Sequence, residues 1–356
     1  MWSPNVPNES STSSERRSDV ITQAVVTLRA GGLVGLPTET VYGLGARADR
    51  PDAVRKIFAA KGRPPTHPLI AHVASYDAAL DAGIQIPSRF AALVERFWPG
   101  PLTVVVPRPG SVVVEATGGL DSVAVRAPDH PLTTEVLAQI GVPVVAPSAN
   151  RFGTVSPTTA QHVIDSLGDA VDLVVDGGSC RIGLESTILD IRGPRPVLLR
   201  PGGLDIAEIE SLVGEVDVPA NPTVAAPGTL PAHYAPGKPL LLISPSATEG
   251  AADADLAALL TGKNAALIGL ADDIDAWPGG FGAALRTRPI GVFDTPDAMA
   301  QGLYQALRTA DSDDVDVIVA WLTGREGIGA AIDDRLKRAS VGSAGADHTP
   351  HQQEDD

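Results

Sequence analysis

The sequence predicts an α/β protein with two domains, and three observations lead to this fold class. Short runs of Val, Leu, Ile and Ala alternate with helical patterns along most of the 356 residues. The 36 glycines and 31 prolines follow no Gly-X-Y period and separate these runs, as turns do in α/β proteins. A proline-rich segment, Val216 to Pro239, then divides the chain, because such a segment disfavours helices and central strands.

The first block opens with a strand in GGLVGLP, followed by a loop in Gly35–Ala46 and a helix in Pro51–Gly62, which has Pro at its first turn and Gly at its end. The remaining elements expected here are a strand in Pro68–Ser75, a helix in Pro87–Trp98, strands in Leu102–Pro107 and Ser122–Pro128, a helix in Pro131–Gly141, a strand entering a loop in Pro143–Asn150, a helix in Ser156–Gly168, strands in Asp172–Gly178, Ser186–Ile191 and Pro196–Arg200, and a helix in Leu204–Gly214. Ser156 is the expected N-cap of its helix, with Pro157 at the first helical position.

Beyond the prolines, four apolar runs suit a buried parallel sheet and alternate with helical patterns, so a second, smaller α/β domain is expected. The Ser- and Pro-rich ends are predicted to be disordered. The predicted domain map is a disordered segment at 1–17, a first domain at 18–214, a linker at 215–238, a second domain at 239–339 and a disordered tail at 340–356.

Composition narrows the function classes. The net charge of −16 argues against stable, sequence-independent binding to nucleic acid, which needs many Lys and Arg side chains. Cys180 is the only cysteine, which favours a reducing compartment, and neither a signal peptide nor a membrane span is evident. We therefore expect a cytoplasmic protein.

A basic stretch interrupts this acidic chain. KIFAAKGRPPTHPLIAH contains Lys61, Arg63, His67 and His72 but no Asp or Glu. A role in capping the helix could explain Lys61 but does not account for the other three side chains, which lie beyond the helix end. A Lys-x-Arg pair in a proline-stiffened loop suits a triphosphate, since Arg binds phosphate through two parallel hydrogen bonds and Lys acts as a point charge. With one cysteine and no HxxxH pattern, no metal site is expected.

Hydroxyls and arginines recur where other strands end. Arg126 ends the strand SVAVR, where it could form a buried ion pair or bind a ligand carboxylate. The other candidates, in chain order, are Thr38, Thr40, Ser148, Asn150, Ser156, Ser186, Thr187 and Arg200. This set includes no paired carboxylates and no nucleophile with a neighbouring base. It indicates an enzyme that works by positioning and electrostatics, or a binding module for an anion.

In this order, the segments PTETVYGLG, KGRPPTHPLIAH, FWPGPLTVVV, SVAVRAP, PSAN, LESTI and LLRPG resemble the YrdC/Sua5 family of threonylcarbamoyl-AMP synthases. The resemblance covers about Val20 to Gly214, and HYAP, LYQALRTAD and GIGAAIDDRL extend it to the long, two-domain Sua5 type. It implies a twisted, mixed, open sheet in the first domain and a smaller Rossmann-like second domain.

The resemblance also implies a reaction in which L-threonine, bicarbonate or CO2, and ATP give threonylcarbamoyl-AMP and pyrophosphate, for t6A formation at position 37 of certain transfer RNAs. Mg2+ would be carried with ATP, and a tRNA threonylcarbamoyl transferase would act downstream. The implied threonine contacts are Thr38, Thr40, His72, Arg126 and Ser186. The implied ATP contacts are Lys61, Arg63, His67, Ser122, Ser148, Asn150, Ser156, Arg200 and, from the linker, Tyr234.

Two departures and two alternatives accompany this hypothesis. His67 stands where many family members have Asn, and TLPAHYAP lacks the basic residues that often precede HYAP. The first alternative is an RNA-binding module, which the acidic balance and the missing aromatic-basic stripe disfavour. The second is carbamoyl transfer to another acceptor, as in YrdC-like domains of hydrogenase maturation proteins, which the lack of CxxC segments disfavours.

Overall fold

The computed structural model describes residues 13–219, 227–228, 230–244, 260–276 and 286–343. The chain divides into two compact units. The N-terminal unit takes the residues up to Phe152 and then Ser156–Thr229, whereas the C-terminal unit takes Gly153–Val155 and the residues from Leu230 onward. Each unit has its own sheet and its own apolar core. The predicted fold class, a mixed sheet followed by a smaller α/β unit, is confirmed.

The described part of the N-terminal unit contains a nine-stranded sheet with helices on its faces. Its strands are β1 (Val34–Leu36), β2 (Gly43–Arg47), β3 (Ile70–His72), β4 (Leu102–Pro107), β5 (Ser122–Arg126), β6 (Val144–Val145), β7 (Leu173–Val174), β8 (Thr187–Asp190) and β9 (Val197–Arg200). Its helices are α1 (Ser13–Arg29), α2 (Pro51–Lys61), α3 (Tyr76–Asp81), α4 (Ala91–Phe97), α5 (Pro131–Ile140), α6 (Ala160–Leu167) and α7 (Ile206–Val213).

The order of the strands is β7-β1-β2-β6-β3-β5-β4-β8-β9. Three neighbouring pairs, β1 with β7, β3 with β5 and β4 with β8, are parallel, and the other five pairs are antiparallel. Every residue of β3, β5 and β8 is buried, which requires cover on both faces of the sheet. Polar side chains on these strands therefore lie in the interior.

Helix α2 shows how the sequence brings a charged residue into that interior. Pro51 occupies the first turn, and Gly62 ends the helix in the left-handed region at φ 63°. The buried face includes Val54, Ile57 and Phe58, and Lys61 follows Ile57 by four residues on the same face. The lysine is only 2% exposed as a result.

Two predictions for this unit are wrong. The stretch Gly35–Ala46 is only partly a loop, because the residues from Gly43 onward pair with β1 as β2. Ser156 is not an N-cap: α6 starts four residues later, where Thr159 accepts a hydrogen bond from the His162 amide. The segment before α6 is held out of the helix because the Pro157 carbonyl accepts the Tyr42 amide at 2.9 Å. The first error is a missed hairpin, whose second strand also pairs with the distant β6, and the second comes from the contact between Pro157 and the distant Tyr42. Local patterns do not contain such long-range contacts.

The described part of the C-terminal unit has a four-stranded parallel sheet in the order β10-β13-β11-β12. Its strands are β10 (Leu240–Ile243), β11 (Asn264–Leu270), β12 (Arg286–Phe293) and β13 (Val317–Trp321). Its helices are α8 (Ala271–Asp275), α9 (Pro296–Ser312) and α10 (Ile328–Ser343).

The disorder predicted at both ends extends too far inward. Helix α1 already begins at Ser13, and its residues Ile21, Ala24 and Leu28 pack in an apolar cluster. Helix α10 continues to Ser343, whose hydroxyl accepts the Leu240 amide at 3.0 Å. Residues 1–12, 344–356 and the linker positions 220–226 and 229 lie outside the described residues. No helix among the described residues is long and apolar enough to cross a membrane.

Candidate active site

The loop that joins β1 to β2 carries two of the predicted hydroxyls. Thr38 Oγ1 lies 2.8 Å from Thr40 Oγ1 and donates to the Val41 carbonyl at 2.7 Å. It also accepts hydrogen bonds from the backbone amides of Thr40 and Val41. Both threonines are buried. The Thr38 hydroxyl thus organises the turn, as threonines do in loops, and holds the Thr40 hydroxyl at a fixed position.

Arg126, at the end of β5, lies against this loop. Its Nη2 is 2.6 Å from Glu39 Oε1, and the two side chains are 4% and 1% exposed. Its Nη1 donates to Thr40 Oγ1 at 2.7 Å, and its Nε donates to the Gly100 carbonyl at 3.0 Å. Of the two alternatives left open for Arg126, the buried ion pair is present. The sequence patterns did not single out Glu39, although it lies within the family motif PTETVYGLG.

His72 ends β3 and pairs in register with Arg126 on the neighbouring parallel strand. Burial, together with the nearby Arg126 guanidinium, lowers the pKa of His72 to about 3. Its imidazole is therefore neutral at physiological pH. It can serve there as a hydrogen-bonding group without adding charge to the site.

Ser186 lies immediately before β8, next to a residue that the sequence did not indicate. Its Oγ is 2.7 Å from Thr103 Oγ1 on β4. Arg200, at the end of β9, donates to the Ser186 carbonyl through Nε and Nη2, and to the Ser186 hydroxyl through Nη2 at 3.1 Å. Arg200 Nη1 also donates to the Pro227 carbonyl at 2.8 Å. The guanidinium thus fixes Ser186, in addition to any contact that it makes with a ligand.

The predicted phosphate site forms a second cluster. Lys61 Nζ donates to the Ser148 carbonyl at 2.6 Å and to the Asn150 carbonyl at 2.5 Å. Arg63 donates to the Pro68 carbonyl at 3.0 Å. Burial, and then the charge of Arg63, lower the pKa of Lys61. Two carbonyl acceptors satisfy two of the three ammonium protons, which leaves one N–H for an anion.

His67 lies beside this cluster but is not deeply buried. Its ring centroid is 5.4 Å from that of Phe152, and the Arg63 guanidinium lies 5.8 Å from the same ring. Burial, and then the Arg63 charge, lower the pKa of His67. A neutral imidazole next to two cations can hydrogen-bond to a nucleotide, but it does not add to the charge that attracts phosphate.

The backbone connects the two clusters. The loop from Thr38 to Tyr42 leads directly into Gly43, which forms a β-bridge with Ser148. The Tyr42 carbonyl accepts the Ala149 amide at 2.8 Å. The loop that carries the threonine hydroxyls is thus attached to the segment that holds Lys61.

Three further predicted residues make their described contacts outside the two clusters. Ser156 is buried and donates to Glu185 Oε1 at 2.7 Å, which places it beside the segment that contains Ser186. Ser122 starts β5, at the opposite end of the strand from Arg126. Tyr234 belongs to the C-terminal unit, where its ring centroid lies 5.8 Å from that of Tyr304.

The geometry of the N-terminal unit thus combines buried cations, hydroxyl groups and a neutral imidazole. Among the described residues, no group of three or more His, Cys, Asp or Glu is placed to hold a metal ion. Arg126 and Arg200 end strands and Lys61 ends a helix, so their directions are fixed before any ligand binds. Such a site suits chemistry on a phosphate ester through charge neutralisation.

Comparisons with known proteins agree with this geometry. Residues 26–202 match the Sua5/YciO/YrdC family, described as "Telomere recombination". Residues 204–341 match the family described as "Threonylcarbamoyl-AMP synthase, C-terminal domain". The two matches fall on either side of residue 203 and together span most of the chain.

Two curated relatives are similar over almost their whole length. The threonylcarbamoyl-AMP synthase of Pyrococcus abyssi is 41% identical over 327 residues, which are 88% of this chain and 92% of that protein. The enzyme of the same name from Bacillus subtilis is 39% identical over 354 residues, 96% of this chain and 97% of that protein. The crystal structure of P. abyssi Sua5 complexed with L-threonine has a TM-score of 0.78 at 38% identity, covering 91% of this chain and 94% of that one.

A mixed sheet with buried cations at its strand ends, followed by a small parallel α/β unit, defines the class of two-domain YrdC-like enzymes. Within that class, the chain belongs to the Sua5-type threonylcarbamoyl-AMP synthase family, whose function lies in tRNA t6A formation. The family resemblance read from the sequence motifs is confirmed.

Proposed function

We propose that this chain is an L-threonylcarbamoyladenylate synthase, a nucleotidyltransferase that makes threonylcarbamoyl-AMP and pyrophosphate from L-threonine, bicarbonate or CO2, and ATP. Family membership and the likeness to a Sua5 structure complexed with L-threonine support the reaction. The observation that carries the proposal is the joining of a buried arginine–hydroxyl cluster to a buried lysine–arginine cluster through one loop.

The arginine–hydroxyl cluster is the proposed threonine site. Arg126 would bind the threonine carboxylate, because its described contacts leave N–H groups that an anion can accept from. Thr38, Thr40 and Ser186 supply hydroxyls, and His72 supplies a neutral imidazole. These groups match a small zwitterion that carries a hydroxyl of its own.

The lysine–arginine cluster is the proposed site of the ATP phosphates. Lys61 and Arg63 would offset the charge that builds on the departing pyrophosphate. The proposed nucleotide site also includes His67, Ser122, Ser148, Asn150, Ser156, Arg200 and Tyr234. ATP would arrive as its Mg2+ complex, with the ion held mainly by phosphate oxygens, which Mg2+ prefers over a dedicated protein cage.

The proposed reaction needs the substrates to be positioned and does not need a nucleophile from the protein. The neutral amino group of threonine adds to CO2 and gives up one N–H proton to solvent, which yields a carbamate. A carbamate oxygen then attacks the α-phosphorus of ATP. The bond from the α-phosphorus to the bridging oxygen breaks, and pyrophosphate leaves. Alignment of the two substrates and neutralisation of phosphate charge are the contributions that these residues would make. The mixed anhydride is sensitive to water, so exclusion of solvent would protect the product.

We place this step in the cytoplasm, upstream of a tRNA threonylcarbamoyl transferase that consumes the product. The decisive experiment incubates the protein with Mg-ATP, radiolabelled bicarbonate and single amino acids, and measures product mass together with pyrophosphate. We expect labelled threonylcarbamoyl-AMP with threonine, a smaller amount of the labelled seryl analogue with serine, and no labelled product with the other amino acids. A rate of pyrophosphate release that depends on neither the amino acid nor bicarbonate would contradict the proposed function.

A further inference from the structure

Glu39 is a buried carboxylate that the proposed reaction does not yet use. Its Oε1 lies 2.6 Å from Arg126 Nη2, in an ion pair whose two side chains are almost fully enclosed. Its Oε2 accepts the Asp129 amide at 3.0 Å, and its main-chain carbonyl accepts the Ile182 amide at 2.7 Å. These contacts fix Glu39 from three directions, so the carboxylate stays next to Arg126.

The ion pair leaves hydrogen-bonding capacity at both ends. Within the part of the chain that the structure describes, neither Arg126 Nη2 nor Glu39 Oε1 makes a hydrogen bond with acceptable direction, although the two atoms touch. Buried polar atoms normally have such partners, and an exception calls for an explanation. Here one donor and one acceptor of opposite charge lie side by side, which matches the carboxylate and ammonium of an α-amino acid.

The neighbouring titratable groups do not disturb this charge balance. Burial and Arg126 keep His72 neutral by lowering its pKa to about 3. Burial raises the pKa of the Cys180 thiol to about 12, so the thiol stays protonated. Burial also lowers the pKa of His130, which interacts electrostatically with Glu39. Asp129, next to Glu39, is itself paired with Arg181 at 2.5 Å. At neutral pH the buried charge of the cluster is therefore that of Arg126 and Glu39, which sum to zero.

We propose that Glu39 determines specificity for net charge: with Arg126 it forms a neutral, dipolar pair that selects a zwitterionic amino acid over an anionic carboxylate. The inference deepens the proposed function and rests on threonine binding at Arg126. Arg126 alone would attract any carboxylate. The Glu39 carboxylate repels a ligand of net charge −1 and so cancels the attraction that Arg126 exerts on it. A zwitterionic ligand is still attracted, because its carboxylate faces Arg126 and its ammonium group faces Glu39.

The test compares two ligands that differ in charge at one position. Calorimetry measures the Kd of L-threonine and of its hydroxy-acid analogue, 2,3-dihydroxybutanoate, in which a hydroxyl replaces the amino group. In the wild type we expect the analogue to bind at least roughly tenfold more weakly than threonine. In Glu39→Gln the Arg126 charge of +1 is left without its partner, and we expect this preference to shrink by roughly tenfold. Glu39→Asp keeps the charge and should keep the preference, even if both affinities fall.

Asp190→Asn is the matched control, because it removes a largely buried carboxylate at the far end of β8, where Asp190 pairs with Arg192 at 2.7 Å. It should leave the ratio of the two Kd values unchanged. Three outcomes would each overturn the inference. They are a ratio of the two Kd values that is unchanged in Glu39→Gln, a ratio that is altered in Glu39→Asp, and equal binding of both ligands by the wild type. If Glu39→Gln does not fold, the Kd ratios of the wild type and of Glu39→Asp still test the inference. Failure of the wild type to bind or use threonine would overturn the proposed function as well, whereas normal turnover with an unchanged ratio would overturn the inference alone.

Discussion

Buried charges dominate the site, and each is held by a hydrogen bond or an ion pair within the protein. Lys61 is held by two backbone carbonyls, Arg126 by Glu39, and Arg200 by the Ser186 carbonyl and hydroxyl. A buried charge is stable only when it is paired or hydrogen-bonded, so these partners are needed before any ligand arrives. The same partners fix the direction in which each cation can act on a substrate.

We predict that Lys61→Ala lowers pyrophosphate release driven by threonine and bicarbonate by a factor of roughly a hundred or more, because a preorganised charge near the leaving group is lost. It should also lower the free energy of unfolding by about 1–3 kcal/mol, since two buried carbonyls lose their donor. Lys56→Ala is the control: Lys56 Nζ donates to the Gly31 carbonyl at 2.7 Å, in a contact of the same type on the same helix. Equal activities of the two variants would contradict the phosphate role.

Arg126→Ala should raise the threonine KM far more than the ATP KM, because the carboxylate loses its partner. The change also leaves Glu39 as an unpaired buried charge, which typically destabilises a protein by roughly 3–5 kcal/mol. Steady-state kinetics with each substrate varied in turn, on protein shown by its melting curve to be folded, gives both constants. Equal changes in the two KM values would remove the threonine assignment.

His72 predicts a pH dependence of stability. Its folded pKa of about 3 lies below the unfolded value of 6.5, so the unfolded state takes up the proton first as the pH falls. The stability is complete above pH 6.5 and decreases progressively toward pH 3. At about 1.4 kcal/mol per pH unit, the wild type should lose about 2 kcal/mol more than His72→Asn between pH 7.5 and pH 5. Denaturant unfolding at the two pH values measures this difference, and parallel losses would show that His72 is not buried neutral.

The antiparallel hairpin of β8 and β9 brings Ser186, immediately before β8, next to Arg200, the last residue of β9, because Ile188 pairs with Arg200. Gly202 follows β9 and packs directly on the residues before β8. A Cβ on Gly202 would lie 2.2 Å from the Thr187 amide nitrogen and 2.5 Å from the Ser186 carbonyl carbon. These are backbone atoms, which cannot rotate out of the way as a side chain can.

Gly202→Ala should therefore displace the Ser186 segment, raise the threonine KM and lower the free energy of unfolding by roughly 1–3 kcal/mol. Gly193→Ala, in the turn of the same hairpin, is the control, because its Cβ would lie 3.5 Å from the Arg195 carbonyl oxygen, an ordinary contact. We expect that variant to stay within about 0.5 kcal/mol of the wild type. Thermal unfolding and threonine kinetics on both variants check the prediction, which fails if Gly202→Ala behaves like Gly193→Ala.

The chain as a whole joins two units with separate cores, and the predicted nucleotide residue Tyr234 lies in the smaller one. Tyr234 is 1% exposed, packs against Tyr304 and lies beneath the Arg335 guanidinium, which is 5.3 Å from its ring. It is also the one described non-glycine residue with positive φ, at 62°. Such a conformation is unfavourable for a tyrosine and is kept only where the surrounding structure holds it.

A pair of variants separates the two roles that Tyr234 can have. Tyr234→Ala and Tyr304→Ala should each destabilise the C-terminal unit by roughly 3–5 kcal/mol, as large-to-small changes of buried aromatics do. If Tyr234 also acts on the nucleotide, only Tyr234→Ala should lower the yield of intact threonylcarbamoyl-AMP relative to pyrophosphate. The measurement is the ratio of the two products at a temperature at which both variants are folded, and equal ratios would leave Tyr234 a structural residue.

The sequence by itself determined the α/β class, the larger elements and the family. Helix α2 and the strands β4 and β5 follow from periodicity, Pro and Gly, which act over a few residues. The basic stretch around Lys61 and the hydroxyls at strand ends were visible for the same reason, since they are local departures from an acidic, apolar composition.

Only the tertiary structure decided which side chains meet. The pairing of Glu39 with Arg126 and of Thr103 with Ser186 joins positions that lie more than 80 residues apart. The pairing of β2 with β6 and the hydrogen bond of Ser156 to Glu185 likewise depend on contacts between distant segments. Residue type and spacing do not encode such contacts, because they arise when the strands assemble into one sheet and exclude water from the groups between them.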